Sequence, residues 1–545
     1  MENLRKLSKA QVTFFLIIAV AFVLRFFALD KIPASMVPDE TALGYTSFSL
    51  LKTGADIHGN FMPIALTVFG SAWTLITYPL MIIIPQLLFG LNEFSVKFPS
   101  AFSGVVEVVL IYFIAKSLFK SNRIGIFASL AFALSPWAVY FSRMAYEMNL
   151  ALAFFLGGFL CLVKSLEGSN KKSLLLILSV LFFSLTLFTY YSYVIFIPLF
   201  SVAVFFFYRK SFLKDKRFPL AVGILILFVA LIFIIISKTS INEAGTQGIF
   251  NDRNTIYQRV EKFRTDNSGE SVFWQRLVHT RYVGVTYQLE QNYLSTFSPT
   301  FLFDTGGDKI TNDIGYFGKF YPIDALFLIV GFITLFYRKE KYVWLIISWL
   351  FLAPVASAIT KDAPSTTRLL VLLPVFILII AYGMNQIFVY FRNRRFGELV
   401  ILLFAAFVFF NYALFIDAYF IHFNYQRVRF FNYGFKQVVE ISQRYPDYKI
   451  VIKGPDNFPY IYFLFYTKYD PKKFISQVQY YPATNEGFVF VKSFGRYSFP
   501  YDINYQKLEP KTIYFDFYSP GEKTKTQKEI YLPSGEPFLI YNINN

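Results

Sequence analysis

The sequence predicts an α-helical polytopic membrane protein of about 11 transmembrane helices, with large outer loops and a small C-terminal α/β extracytoplasmic domain. Three observations predict it. Of its 545 residues, 55% are hydrophobic and only 16% are charged, against about 25% charged in an average soluble protein. The apolar residues collect in runs close to the roughly 20 residues that cross a hydrocarbon core. Lys and Arg, which give a net charge of +17, cluster between those runs. That is the positive-inside signature and not a nucleic-acid-binding face.

In chain order the predicted spans are 12–29, 99–119, 124–141, 148–164, 173–189, 191–207, 218–237, 324–338, 342–359, 368–390 and 396–417. A further apolar stretch, "WTLITYPLMIIIPQLLFG" at 73–90, holds Pro79 and Pro85, which remove amide donors and are expected to break a helix there. The basic clusters decide its reading. If 73–90 does not cross and the N-terminus with Arg5, Lys6 and Lys9 is cytoplasmic, then "KSNR", "KSLEGSNKK", "YRKSFLKDKR", "YRKEK" and "FRNRR" all face the cytoplasm. If it crosses, all five turn outward, against the orientation rule. The first run lacks a small-residue cleavage site and is read as a retained helix. The lone Cys161 excludes an intrachain disulfide.

The domain division that follows is 1–420, a transmembrane domain with outer loops 30–98 and 238–323, and 421–545, a soluble extracytoplasmic domain. In the tail "FNYGFKQVVEISQRYP" reads as an amphipathic helix. "YKIVI", "GFVFV" and "KTIYFDF" read as strands, and "EIYLPSGEPFLIYNI" as a hairpin turning at "PSGEP". In the second outer loop "NDRNTIYQRVEKFR" reads as a polar helix, and Gly306 and Gly307 as a flexible turn. This loop is expected to cover the site and contact the acceptor.

The candidate chemistry lies at the outer ends of the spans. "MVPDETALGY" places the adjacent carboxylates Asp39 and Glu40 just after the first span. At the same depth fall Arg25, Lys97, Arg143, Glu147, Lys361, Asp362 and Arg368. Charges at span ends also serve as interfacial anchors, and Asp39 also suits the N-cap of a helix over "TALGYTSFSLL". Arg25 and Arg368 lie within or against apolar runs, where a charge is costly and has a partner and a task. A carboxylate beside cations at a membrane surface suits glycosyl transfer from a lipid phosphate. The phosphate leaves without protonation, cations hold its charge, and one general base serves the acceptor hydroxyl. Glycoside hydrolysis generally needs a spaced carboxyl pair instead.

Three stretches, "VPDETALGYTSFSLLKTGADIHGNFMPI", "FGLNEFSVKFPSAFSG" and "SPWAVYFSRMAYEMN", resemble membrane glycosyltransferases of the GT-C type. These are related to protein O-mannosyltransferases and to the aminoarabinose transferase of lipid A (glycosyltransferase family 39-like). The resemblance covers roughly residues 10–400 and extends more weakly into the tail. It implies an inverting transferase, hexosyl or pentosyl, that takes sugar from a polyprenyl-phosphate donor. The acceptor is a hydroxyl on protein, lipid or glycan, on the extracytoplasmic face of a prokaryotic plasma membrane. It implies Asp39 as general base, and Glu40 as the residue that orients the acceptor, the sugar or a metal. Arg143, Arg368 and Lys97 stand where donor-phosphate contacts are implied. From the residues themselves, His58, Glu147 and Arg25 are further candidate substrate contacts, with a local hydrogen-bonding role as the alternative for His58.

The chain departs from relatives in having Trp73 and Thr74 at a basic step, Lys97 where Arg is commoner, and Ile57 at the place of a second acid. The resemblance implies a divalent metal ion in some members. The residues themselves show no ligand cluster, since the only histidines, His58, His279 and His422, are far apart. The alternative is a multi-span lipid or glycan transporter. It predicts mid-membrane ionisable groups or paired repeats, whereas the charges read here gather at the outer rim.

Overall fold

The computed structural model describes all residues except 1–7, 71–72, 169–170, 240–247, 252, 267–270, 308–309, 316, 486, 520–526 and 545. Arg5 and Lys6 of the orientation argument therefore lie outside the described residues. The chain folds as two compact units. One comprises residues 1–24, 103–140 and 148–413; the other comprises 25–102, 141–147 and 414–545. The first outer loop, drawn from sequence with the membrane part, thus falls in the same unit as the C-terminal residues.

All eleven predicted spans coincide with apolar helices. Among the described residues seven are long and apolar enough to cross a membrane: Lys9–Phe26, Glu93–Phe119, Glu147–Leu166, Tyr193–Phe212, Phe218–Ser237, Leu370–Arg392 and Gly397–Gln426. An eighth forms if Asn122–Leu134 and Pro136–Ser142, bent by 58° at Ser135, count as one span. The bend sits at a proline, which cannot supply the amide that a straight helix needs. Lys172–Leu187, Pro322–Tyr337 and Val343–Ala358 are shorter apolar helices, so helix length alone gives seven or eight spans. The protein is an integral membrane protein by these helices.

Packing in the first unit is close. Residues 369–382 are buried without a break. The helices Pro322–Tyr337 and Leu373–Arg392 meet at Gly331 and Gly383. A Cβ on Gly331 would lie 2.1 Å from the Ile379 carbonyl oxygen, and one on Gly383 would lie 1.9 Å from that of Phe327. Small residues allow this backbone approach between membrane helices. The buried Trp349 packs on Phe155 and Phe159 with ring centroids at 4.9 and 4.7 Å, and its indole N–H donates to the Val371 carbonyl at 2.8 Å.

In the second unit the ambiguous 73–90 stretch begins as a strand, Trp73–Leu75, paired antiparallel with Ala65–Thr67. It then continues as the helix Thr77–Phe89. The expected proline break does not occur. Pro79 falls in the first turn, where amides have no intrahelical acceptor, and Pro85 stays inside the helix. This helix packs on Pro38–Thr53: Ser47 Oγ donates to the Pro79 carbonyl at 2.8 Å, and Gln86 Nε2 to the Gly44 carbonyl at 2.8 Å.

The C-terminal residues form a seven-stranded mixed sheet. Numbered in chain order after β1 (Ala65–Thr67) and β2 (Trp73–Leu75), its strands are β3 (Lys449–Ile452), β4 (Gln479–Tyr480), β5 (Val491–Phe494), β6 (Tyr497–Ser498), β7 (Thr512–Phe517), β8 (Lys528–Tyr531) and β9 (Pro537–Asn544). Their order is β4-β5-β6-β3-β7-β9-β8. β3 runs parallel to β6 and β7, as a strand read from "YKIVI" does between crossovers. β8 and β9 form the predicted hairpin. "GFVFV" is not a strand over 487–490. Gly487 takes φ +87° in a turn, and the Val489 amide bonds the Phe69 carbonyl of the first loop at 3.0 Å. The amphipathic helix runs Phe435–Gln443, and its Phe435 ring stacks on Tyr462 of the helix Pro459–Tyr466 at 4.9 Å.

Candidate functional site

The acidic pair sits in the first turn of Pro38–Thr53. Val37 is the N-cap and Pro38 occupies the first helical position, where its missing amide costs nothing. The helix therefore starts two residues before the expected Asp39 cap. Asp39 and Glu40 follow in the first turn, about 100° apart around the axis, and their fates differ. Asp39 is exposed and Glu40 is wholly buried.

Both oxygens of Glu40 are committed to backbone. Oε2 accepts the Val37 amide at 3.1 Å, closing the helix start, and Oε1 accepts the Ala145 amide at 2.6 Å. Glu40 thereby ties the helix to the turn after Ser142. Burial raises its carboxyl above the ordinary 4.5, outweighing the opposing pull of Lys97 and of the two amides. Lys97 is also fully buried, and its Nζ donates to the Pro33 carbonyl at 3.3 Å.

Arg143 is the hub of this turn. Its Nη1 donates to the Arg25 carbonyl at 3.2 Å, and its Nη2 to those of Ala28 and Ile32 at 3.2 and 3.0 Å. These carbonyls lie in the last turn of the first span and just beyond it, where peptide groups need donors. The guanidinium lies over Phe420 at 4.9 Å and Tyr419 at 5.6 Å. Arg25 is fully buried. Glu147 heads the Glu147–Leu166 helix, where the dipole favours an acid. It lies near enough to Asp39 for their charges to interact. His58 is exposed, and its Nε2 meets the Thr67 carbonyl at 2.9 Å, a local loop bond.

The second unit thus brings Asp39, Glu40, Lys97, Arg143, Arg25 and Glu147 around one helix start. Sequence reasoning missed two tyrosines, one on each side, that bond this helix and its start to the tail. Tyr462 OH donates to the Met36 carbonyl at 2.8 Å, and Tyr45 OH to that of Tyr469 at 2.8 Å. Burial keeps both phenols above their usual range, so they stay neutral donors. No local pattern marks a residue 424 or 426 positions away from its partner.

Arg368 belongs to the first unit. It pairs with Asp362 and donates to Thr360 Oγ1 at 3.3 Å and to Tyr191 OH at 3.0 Å. Beside it Asp313 and Lys319 form a buried ion pair. Asp313 Oδ2 also accepts the Gly307 amide at 3.0 Å and the Thr366 hydroxyl at 3.3 Å. Lys319 Nζ lies over the Trp137 and Phe301 rings. The Gly306–Gly307 turn is therefore close-packed and not the loose one expected. A Cβ on either glycine would come within 2.8 Å of Asp313 or Thr366.

The residues present do not fit the metal ion that the resemblance implies for some members. Among the described residues no three His, Cys, Asp or Glu side chains gather into a metal-holding group. Glu40, the acid next to Asp39, spends both oxygens on amides.

Comparison with known proteins places this architecture. Residues 76–236 match the family described as dolichyl-phosphate-mannose-protein mannosyltransferase. No curated protein matches the sequence. Among solved structures, ArnT from Cupriavidus metallidurans bound to undecaprenyl phosphate is similar at 11% identity, over 97% of this chain and 98% of that one, with a TM-score of 0.52. The Archaeoglobus fulgidus oligosaccharyltransferase tethered with an acceptor peptide is similar at 12% identity, over 84% of this chain, with a TM-score of 0.52. This chain spans 63% of that enzyme's length. The fold is that of membrane glycosyltransferases. The fold agrees with the GT-C resemblance read from the sequence, and the matched segment 76–236 is similar to the mannosyltransferase family.

Proposed function

We propose that this protein is an inverting glycosyltransferase that moves a sugar from a polyprenyl-phosphate donor to an acceptor hydroxyl. The observation that carries the proposal is the split pair at the start of Pro38–Thr53. Glu40 is locked by two amides while Asp39, one residue earlier, remains exposed. Asp39 is the general base and Glu40 its positioning residue. The acceptor oxygen attacks the anomeric carbon from the face opposite the phosphate and Asp39 takes its proton. The bond from that carbon to the phosphate oxygen breaks, and its electron pair leaves on the polyprenyl phosphate. Back-side attack inverts the centre.

Arg143 and Lys97 donate to carbonyls that shape the turn beside Asp39, and the proposal keeps both as candidate donor-phosphate contacts. The role of Arg368 toward the donor phosphate is a separate part of the proposal. We assign eleven crossings, with the N-terminus cytoplasmic and Asp39 and the tail extracytoplasmic. The undecaprenyl phosphate bound by the similar ArnT structure supports a lipid-linked donor. The transporter alternative gains nothing from these comparisons.

The test is transfer of labelled sugar from a panel of polyprenyl-phosphate sugars by the purified wild type and Asp39→Asn. Asn keeps the size of Asp and cannot accept the proton. Loss of about 10²–10⁴ in rate, with melting temperature unchanged, is the expected result. Equal rates would remove Asp39 as the base and leave Glu147 to be tested. A wild type inert with every donor would overturn the transferase reading.

A further inference from the structure

In the first unit the helices Glu147–Leu166, Lys172–Leu187, Tyr193–Phe212 and Phe218–Thr239 line a half-open groove of about 700 Å³. This is within the size range of small-molecule sites. Ser179 and Ser201 are its only polar lining residues; the rest are apolar, many of them aromatic. One end is well defined. Phe218 stacks on Phe212 at 5.5 Å and on Phe205 at 5.6 Å, beneath the turn that joins the last two helices. Lys172 Nζ donates to the Ser211 carbonyl at 2.6 Å, and Ser173 Oγ to Asp215 Oδ1 at 2.8 Å, lacing the helix ends together.

The same end is strongly basic. Arg209, Lys210, Lys214, Lys216 and Arg217 are all exposed around it, and the single acid of the turn, Asp215, is buried. The lining runs along the last helix from Phe218 to Phe233, which is ~22 Å at 1.5 Å per residue. One leaflet of hydrocarbon is about 15 Å deep, half of a core of about 30 Å. The groove is therefore long enough for acyl chains whose headgroup lies at the basic end.

We propose that this groove binds an anionic phospholipid, with the acyl chains along it and the phosphate at the 209–217 turn. Basic pockets between membrane helices hold such headgroups on the cytoplasmic side, and the orientation rule puts this turn there. The inference goes beyond the transferase reading and rests on the orientation assigned with it; its readout, lipid binding, is separate from transfer activity.

The experiment uses the full chain, delipidated in detergent. Thermal stability is titrated with phosphatidylglycerol, with phosphatidylcholine of identical chains, and with undecaprenyl phosphate. Native mass spectrometry counts the bound lipid. The expected result is one tight phosphatidylglycerol, with phosphatidylcholine far weaker. Val229→Trp, which fills the groove, should abolish the site. Changing Lys214, Lys216 and Arg217 together to Gln leaves the groove intact and should weaken phosphatidylglycerol about a hundredfold, at about fivefold per cation. The triple variant keeps the test alive if Val229→Trp does not fold. Equal response to the two phospholipids, an unchanged triple variant, or preference for undecaprenyl phosphate would each overturn the proposal.

Discussion

At the scale of single residues, the adjacency of Asp39 and Glu40 conceals a division of labour. Glu40 is more protonated in the folded chain than in the unfolded one, because burial raises its carboxyl above 4.5. A raised folded value favours the native state fully below the unfolded value, and that contribution is lost as pH rises through the folded one. Chemical unfolding of wild type and Glu40→Gln across pH should therefore show wild type losing its advantage as pH increases from about 4. A constant difference would mean that Glu40 titrates normally. At low pH the variant should be less stable by about 1–3 kcal/mol, because a Gln side chain can accept only one of the two amides that Glu40 serves. Sequence alone located this pair but not which acid is buried. That depends on the Ala145 amide, 105 positions away.

At the scale of elements, the apolar runs were legible because a span is a local property of about 20 residues. The Thr77–Phe89 helix was half legible: its prolines signal a break that their positions in the helix and its packing on Pro38–Thr53 overrule. "KTIYFDF" and the "PSGEP" hairpin were legible from alternation and turn chemistry. "GFVFV" failed because its amide at Val489 is taken by the first loop. The glycines of the membrane helices gave no warning of their role. Gly383→Val should clash with the Phe327 backbone and lower stability by about 1–3 kcal/mol or more. Denaturation in detergent measures this, and a melting temperature equal to wild type would mean that the two helices part without cost.

At the scale of the whole molecule, the membrane class and the GT-C resemblance were readable, while the grouping of residues 25–102 with the tail was not. Hydropathy carries no information on which distant segments share a compact unit. The crossing number is open to a direct check. In a Cys161→Ser background, single cysteines at Gln506 and Lys214, both exposed, report opposite faces if the eleven assigned crossings hold. A membrane-impermeant maleimide should label Gln506→Cys in intact cells and Lys214→Cys only after permeabilisation. Labelling of both from outside would require a different count.

The bond from Tyr462 to Met36 has a further consequence, in time. The ribosome adds residues at roughly 5–20 per second, and 426 positions separate these partners. For tens of seconds the helix that carries Asp39 is out of the ribosome without the tail that clasps it. A half-made chain thus holds every residue of the acidic pair and lacks its support. Maturation of the second unit is tied to the completion of translation, and an early stop codon removes the clasp before it removes any residue of the pair.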